Sequence, residues 1–273
     1  MKKATISFLI VTLFTYFTFT LEAFAASYPN PGATAALLMD ADTGEIIYAK
    51  NEQTPLAPAS TTKIMTAILA LENLNLDATV TIKPTAAGKE GSSMHLAPKE
   101  KLTVRKLLYG LLLVSGNDAA TAIAEAVSGS ESSFAQLMNL KARQIGMCNT
   151  TFKNASGLPE EGHVSTAYDM ALLTRYAMGN PNFVKIFGTK VIEVSGIKPG
   201  KSCRLINHDK LLWQYPYTTG GKTGYTKSAG GCLVSTARRE QKNLISVVLK
   251  TSYIYDDSKQ LFNYGFGKLL KKS

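Results

Sequence analysis

The chain has 273 residues, 45% of them hydrophobic, and a formal net charge of +10, enough apolar content for one sizeable core or two intimately packed subdomains. The positive residues are scattered and no basic-aromatic module occurs, which argues against a nucleic-acid partner and suits an anionic envelope surface or polymer. Three histidines (His95, His163, His208) without H-E-x-x-H spacing and three cysteines (Cys148, Cys203, Cys232) without C-x-x-C spacing give metal chemistry no support, and the odd cysteine count leaves at least one thiol unpaired within the chain.

Lys2 and Lys3, the apolar stretch Ile6 to Leu21 and the small-x-small triplet Ala23-Phe24-Ala25 predict an export signal over residues 1–25, with the mature chain starting near Ala26. No later apolar stretch reaches bilayer-spanning length, so no integral membrane segment is expected once the signal is removed. The expected location is extracytoplasmic, in the cell wall or periplasm. Residues 26–273 are expected to form a single domain.

Ala35 to Asp40, the turn Ala41-Asp42-Thr43-Gly44 and Glu45 to Lys50 read as a β-hairpin. Ser60-Thr61-Thr62-Lys63 then opens an uninterrupted apolar run, Ile64 to Leu71. Pro58 and Ser60 mark a helix start, which places Ser60 and Lys63 on one face, one turn apart. A second S-x-x-K, Ser195 to Lys198, contains Gly196 and runs into Pro199-Gly200, so it reads as a turn that stacks nothing. From about Thr85 to Phe187 the pattern reads as largely helical. Apolar residues recur at three and four over Val104 to Leu112, Ala119 to Val127 and Phe134 to Ile145, and a further helix over Ala167 to Met178 stops at Gly179-Asn180-Pro181. Strands return at Lys190 to Val194, Gly220 to Tyr225, Gly231 to Ala237 and Leu244 to Leu249. Asp256 and Asp257 open a terminal helix that ends at Lys271-Lys272. The order predicts a mixed α/β (α+β) chain. One antiparallel sheet is built from both chain ends, with parts 26–80 and 190–273 carrying it and a helical insert over 81–189.

Three strings carry chemistry: Ser60-Thr61-Thr62-Lys63, Ser115-Gly116-Asn117 and Lys222-Thr223-Gly224. Each is weak alone, and the ordered set is specific. A serine hydroxyl needs a base, and local geometry ties only Lys63 to Ser60. Lys63 can serve if burial and a second cation, Lys222, disfavour its ammonium. Ser115 is placed to relay a proton to a leaving amine, and Asn117 to hold a substrate amide. The glycine-flanked Lys222-Thr223-Gly224-Tyr225-Thr226 is expected to pair with an extended peptide along a strand edge, with Lys222, Thr223 and Thr226 on a carboxylate. Backbone N–H groups of Ser60 and Tyr225 form the expected oxyanion hole. No cofactor is expected.

These strings and their surroundings, Pro58 to Thr66, Leu107 to Ala120, Ser156-Gly157-Leu158-Pro159 and Gly221 to Thr226, resemble signature segments of the D-alanyl-D-alanine carboxypeptidases, the low-molecular-weight penicillin-binding proteins of the S11 peptidase type. The resemblance covers essentially the whole mature chain. It implies a penicilloyl-serine transferase (β-lactamase-like) fold and a peptidoglycan stem peptide ending in D-Ala-D-Ala as substrate. It also implies an acyl-Ser60 intermediate and β-lactams as covalent inhibitors. A monomer is expected. Many family members carry a further β-rich domain and an amphipathic tail; this chain runs only a short way past its last helix, so a soluble or wall-associated enzyme is expected. Many also carry an arginine between the last strand and the terminal helix, and Lys250 to Asp257 contains none. The rival enzyme is a class A-like β-lactamase, which needs a glutamate in an E-x-x-x-N segment; neither Glu160 nor Glu161 has an asparagine at that spacing. The rival from another class is a non-catalytic penicillin- or peptidoglycan-binding protein.

Overall fold

The six residues Ala35–Asp40 (β1) are all buried, so this strand is covered on both faces. Successive side chains of a strand point to opposite faces, and here the two faces belong to two different cores. Ala35, Leu37 and Met39 join one, whereas Ala36 and Leu38 join the other. In this computed structural model, which describes residues 28–198 and 201–270, β1 turns back as Ile46–Lys50 (β2). The Asp40 carboxylate accepts from Asp42 N and Thr43 N in the turn, and Gly44 (φ 81°) closes it. The expected export signal and the terminal Lys271-Lys272 lie outside the described residues.

Three late strands complete the sheet: Thr218–Thr226 (β7), Gly230–Arg239 (β8) and Lys242–Thr251 (β9). The order is β2-β1-β9-β8-β7, antiparallel throughout, so the two chain ends do build one sheet. The terminal helix Ile254–Leu269 (α8) lays Leu261, Phe262 and Phe266 on Leu38, Leu233, Leu244 and Val248 of one face.

The opposite face carries the helical layer. A 3₁₀ turn, Ala59–Thr62, runs directly into Lys63–Asn73 (α1). A small ribbon, Thr79–Thr81 (β3) and Lys101–Thr103 (β4), precedes Val104–Leu113 (α2), Asn117–Ser128 (α3) and Glu131–Gln144 (α4). Ala167–Met178 (α5) and Pro181–Phe187 (α6) follow. Thr103, Ser130, Thr166 and Asn180 cap four of these helices through their side chains. Gly129 (φ 79°) closes α3, as its position in the sequence predicts. A hairpin, Val191–Lys198 (β5) and Lys201–Ile206 (β6), and one turn of helix, Leu211–Gln214 (α7), lead back into the sheet.

Three local expectations differ. Ser195 lies in strand β5 and not in a turn; a strand also fails to stack residue i on i+3, so the second S-x-x-K still lacks the geometry of the first. Residues 82–100 form no helix, because the chain there is gathered around one buried carboxylate, described below. Pro181 does not merely stop α5: it opens α6 at the first helical position, where its missing N–H is no loss.

Candidate active site

The sheet register sets the site. Leu37 pairs with Val247, Val247 with Val234 and Val234 with Lys222, so a row of helix-facing core residues ends in a lysine on the edge strand. Lys222 is 1% exposed, and its Nζ donates to Thr223 O at 2.8 Å. Across the edge lies the 3₁₀ turn. A Cβ on Gly224 would sit 2.8 Å from Ser60 N, so glycine is what lets β7 pass over the turn that holds Ser60.

Lys63 is completely buried and has three acceptors. Its Nζ donates to Asn117 Oδ1 at 2.7 Å, to Ser156 O at 2.6 Å and to Ser60 Oγ at 3.1 Å. Burial holds its pKa well below the ordinary lysine value. The neighbouring Lys222 lowers it further, while Asp118 and Glu131 pull the other way. Two of the three acceptors, the amide oxygen and the carbonyl, cannot donate. A neutral amine therefore commits both N–H groups to them and turns its lone pair to the Ser60 hydroxyl.

A cleft of about 910 Å³ opens over Ser60 and is also lined by Ser92, Ser115, Thr223, Gly224 and Tyr225. Ser115 adopts a left-handed backbone (φ 61°), which a serine holds only at a cost. Its hydroxyl has no hydrogen-bond partner among the described residues. Lys63, Asn117 and Lys222 stand behind the cleft wall.

Two expected binding residues have partners within the protein. Asn117 Oδ1 accepts from Lys63 Nζ at 2.7 Å and Nδ2 donates one N–H to Glu90 O at 2.5 Å, so the amide orients the lysine. Thr226 Oγ1 accepts from Ala229 N at 3.0 Å and meets Ser228 Oγ, and the residue faces a neighbouring depression beside Gly157 to Val164.

Four further groups complete the site, two of them in segments that carry the resemblance, Leu107 to Ala120 and Ser156 to Pro159, but with no role legible in the sequence. The Ser156 carbonyl is a backbone group with no side-chain signature. The loop carrying it is pinned to α1 by Thr66 Oγ1 donating to Ala155 O and fits only because residue 157 is glycine (φ 81°), whose Cβ would lie 1.9 Å from Ala59 O. Asp118, fully buried, accepts from Ser93 Oγ and from the N–H groups of Met94, Leu96 and Ala119. That carboxylate shapes the 82–100 segment and brings Ser92 to the cleft. Asp118 directly follows Ser115-Gly116-Asn117, which was its one signal. Asp209, also fully buried, lies beneath Gly221.

The fourth is His163. Its Nδ1 accepts from Lys153 N, so the proton sits on Nε2 and is donated to Thr62 Oγ1 at 3.0 Å. Burial pushes its pKa from 6.5 to about 4. The unfolded chain takes up this proton near pH 6.5 and the folded chain only near pH 4, so the histidine's contribution is intact above the former and is lost as pH falls toward the latter. Urea titrations of the wild type and His163→Gln at pH 7 and 4.5 should show the wild type's advantage shrinking by about 2–3 kcal/mol. An advantage independent of pH would contradict this.

Comparison with known proteins gives one consistent result. A family model described as D-alanyl-D-alanine carboxypeptidase matches residues 22–252. The D-alanyl-D-alanine carboxypeptidase DacF of Bacillus subtilis is 41% identical over 225 residues, 81% of this chain; the match spans 58% of that relative's length. A D-alanyl-D-alanine carboxypeptidase of Mycobacterium tuberculosis is 34% identical over 255 residues, covering 89% of this chain and 86% of the relative. Among solved structures, a D-alanyl-D-alanine carboxypeptidase from Mycobacterium tuberculosis superposes with a TM-score of 0.84 at 32% identity, covering 89% of this chain and 94% of that one. A mutant of the Streptomyces K15 DD-transpeptidase superposes with a TM-score of 0.83 at 35% identity, covering 88% and 99%.

Proposed function

Since the chain belongs to the D-alanyl-D-alanine carboxypeptidase family of S11 serine peptidases, we propose that it removes the terminal D-alanine from peptidoglycan stem peptides through an ester on Ser60. The observation that carries this reading is the buried Lys63 amine, which has two acceptor-only partners and the Ser60 hydroxyl as its third.

The Ser60 Oγ attacks the carbonyl of the penultimate D-alanine as its proton passes to the Lys63 lone pair, a transfer worth ~10²–10⁴-fold. The N–H groups of Ser60 and Tyr225 stabilise the oxyanion, at about 3–4 kcal/mol for each donor. The C–N bond then breaks. The proton moves from Lys63 Nζ to the departing amine, with the Ser115 hydroxyl as relay, and D-alanine leaves. Water attacks the ester, Lys63 takes its proton, Ser60 regains a hydroxyl and the shortened peptide departs as a carboxylic acid. Thr223 and the strand edge at Gly224 and Tyr225 hold the peptide backbone.

β-Lactams would acylate the same oxygen. Among the described residues no carboxylate lines the cleft, and Glu160 is engaged by Asn154 Nδ2 at 3.0 Å, so the penicilloyl ester is expected to be long-lived. This speaks against the β-lactamase reading. The enzyme is expected outside the cytoplasm, working as a monomer; among the described residues no helix is long and apolar enough to cross a membrane. Incubating the purified protein with a pentapeptide ending in D-Ala-D-Ala should release D-alanine at one equivalent per tetrapeptide formed. Failure to release it, with the protein folded and acylated by penicillin, would leave only a penicillin-binding role.

A further inference from the structure

A stem peptide brings carboxylates to the cleft, and the groups that the sequence offers them are only partly available. Lys222 is buried with its Nζ on Thr223 O, and Thr226 faces the neighbouring depression, which leaves Thr223 on the cleft wall. The same cleft is also lined by Lys250, the one lysine, arginine, aspartate or glutamate among its described lining residues. His208, also on the wall, is driven toward its neutral form by burial and by Lys222. Lys250 is exposed, and its Nζ has no hydrogen bond and no ion pair among the described residues.

The backbone is strained to put a lysine there. Lys250 has φ 57°, a left-handed conformation that glycine adopts freely and lysine does not. The cause is a β-bulge. Gly231 pairs with Thr251 and Leu233 with Val248, so Cys232 alone opposes both Leu249 and Lys250. A bulge re-aims side chains; here Leu249 stays in the helix-side core while Lys250 turns out to the cleft. A Cβ on Gly230 would sit 3.4 Å from Lys250 Cα and 3.5 Å from its Cγ, so the lysine stem lies against a glycine that itself lines the cleft. Both flanks are fixed. Thr34 N and Oγ1 donate to Lys250 O at 3.2 and 3.1 Å, and Thr251 Oγ1 donates to the buried Asp257 carboxylate at 2.7 Å. Strain of this kind persists where the surroundings hold it, and it gathers at ligand sites. Glycine would relieve it, so the lysine side chain is what the position retains.

We propose that Lys250 is a specificity-determining residue, the cation that receives a carboxylate of the stem peptide in the cleft. The inference rests on the carboxypeptidase reading. The carboxylate is the terminal one or one carried further up the stem; either would accept charge-assisted hydrogen bonds from the ammonium.

The test compares the wild type, Lys250→Gly and Lys250→Arg on two substrates. One is Nα,Nε-diacetyl-L-Lys-D-Ala-D-Ala, whose only charge is its terminal carboxylate; the other is a pentapeptide ending in D-Ala-D-Ala with a further carboxylate upstream. Lys250→Gly should raise KM about ten-fold, the loss of one charge-assisted hydrogen bond, with kcat within about two-fold of the wild type. Lys250→Arg should restore most of that loss. A raised KM on both substrates identifies the terminal carboxylate, and a raised KM on the pentapeptide alone identifies the upstream one. The thermal midpoint of Lys250→Gly should equal or exceed that of the wild type, because the left-handed strain is relieved. A purely structural role predicts the reverse, a lower midpoint with KM unchanged on both substrates, and that result would overturn the proposal. Wild-type protein that releases D-alanine from neither substrate would refute the carboxypeptidase reading itself, whereas normal wild-type release with an unchanged Lys250→Gly KM would refute this inference alone.

Discussion

Ser60→Ala protein should take up no covalent label from a fluorescent penicillin, while keeping its fold. Ser60, Ser92, Ser115, Thr223, Thr251 and Ser252 line the cleft, with Ser156 just behind it; of these only Ser60 has its hydroxyl against an amine, whereas Thr251 Oγ1 is tied to the Asp257 carboxylate at 2.7 Å. The others have no comparable activation: no amine meets the Ser115 hydroxyl, and Ser156 Oγ is engaged with Asn154 Oδ1 and Leu158 N. An unactivated alcohol is a poor nucleophile, so a neighbouring serine does not take over. Because Lys63 is the one hydrogen-bond partner of the Ser60 side chain among the described residues, its removal should shift the thermal midpoint by only a few degrees. Labelling of Ser60→Ala at the wild-type rate and stoichiometry would remove the basis of the assignment.

The second large effect is at Lys63. Truncation to alanine would open a cavity and leave Asn117 Oδ1 and Ser156 O unbonded, at about 1–3 kcal/mol for each orphaned group. Lys63→Met orphans the same two acceptors but keeps the volume and opens no cavity, so it is the cleaner probe. Its acylation rate should fall by ~10²–10⁴-fold at neutral pH. It should also rise with pH without levelling off, because bulk hydroxide must replace the missing base. The wild type, with an amine held well below the ordinary lysine range by burial and by Lys222, should instead reach a plateau. A Lys63→Met protein acylated within a few-fold of the wild type would show that another group takes the proton.

The elements that depend on local pattern were legible in the sequence. Ser60 and Lys63 are three apart at the mouth of an apolar run, and that spacing on a helical turn brings Lys63 Nζ to Ser60 Oγ at 3.1 Å. The late strands alternate cleanly between two cores, and Gly129 stops its helix, because each follows from the residues themselves. What stayed hidden depends on tertiary context. The 82–100 segment has apolar residues but no helix, since Asp118 takes up the N–H groups of Met94 and Leu96. The Ser156 carbonyl that helps orient Lys63 is backbone, and any residue could supply it. The amide of Asn117 is readable as a site group, but its hydrogen bond to Lys63 is not. Thr226 belongs to the right motif yet closes a turn, because the strand ends there. Asp209 sits in an unremarkable turn, and only the sheet edge sets its carboxylate against Gly221.

The account stands or falls on which atom becomes acylated. Brief incubation of the protein with a pentapeptide ending in D-Ala-D-Ala, acid quench, proteolysis and tandem mass spectrometry would locate the trapped acyl group. The predicted result is a tetrapeptide ester on Ser60, absent from the Ser60→Ala protein. An ester on Ser115 or another hydroxyl, with Ser60 unmodified, would contradict it.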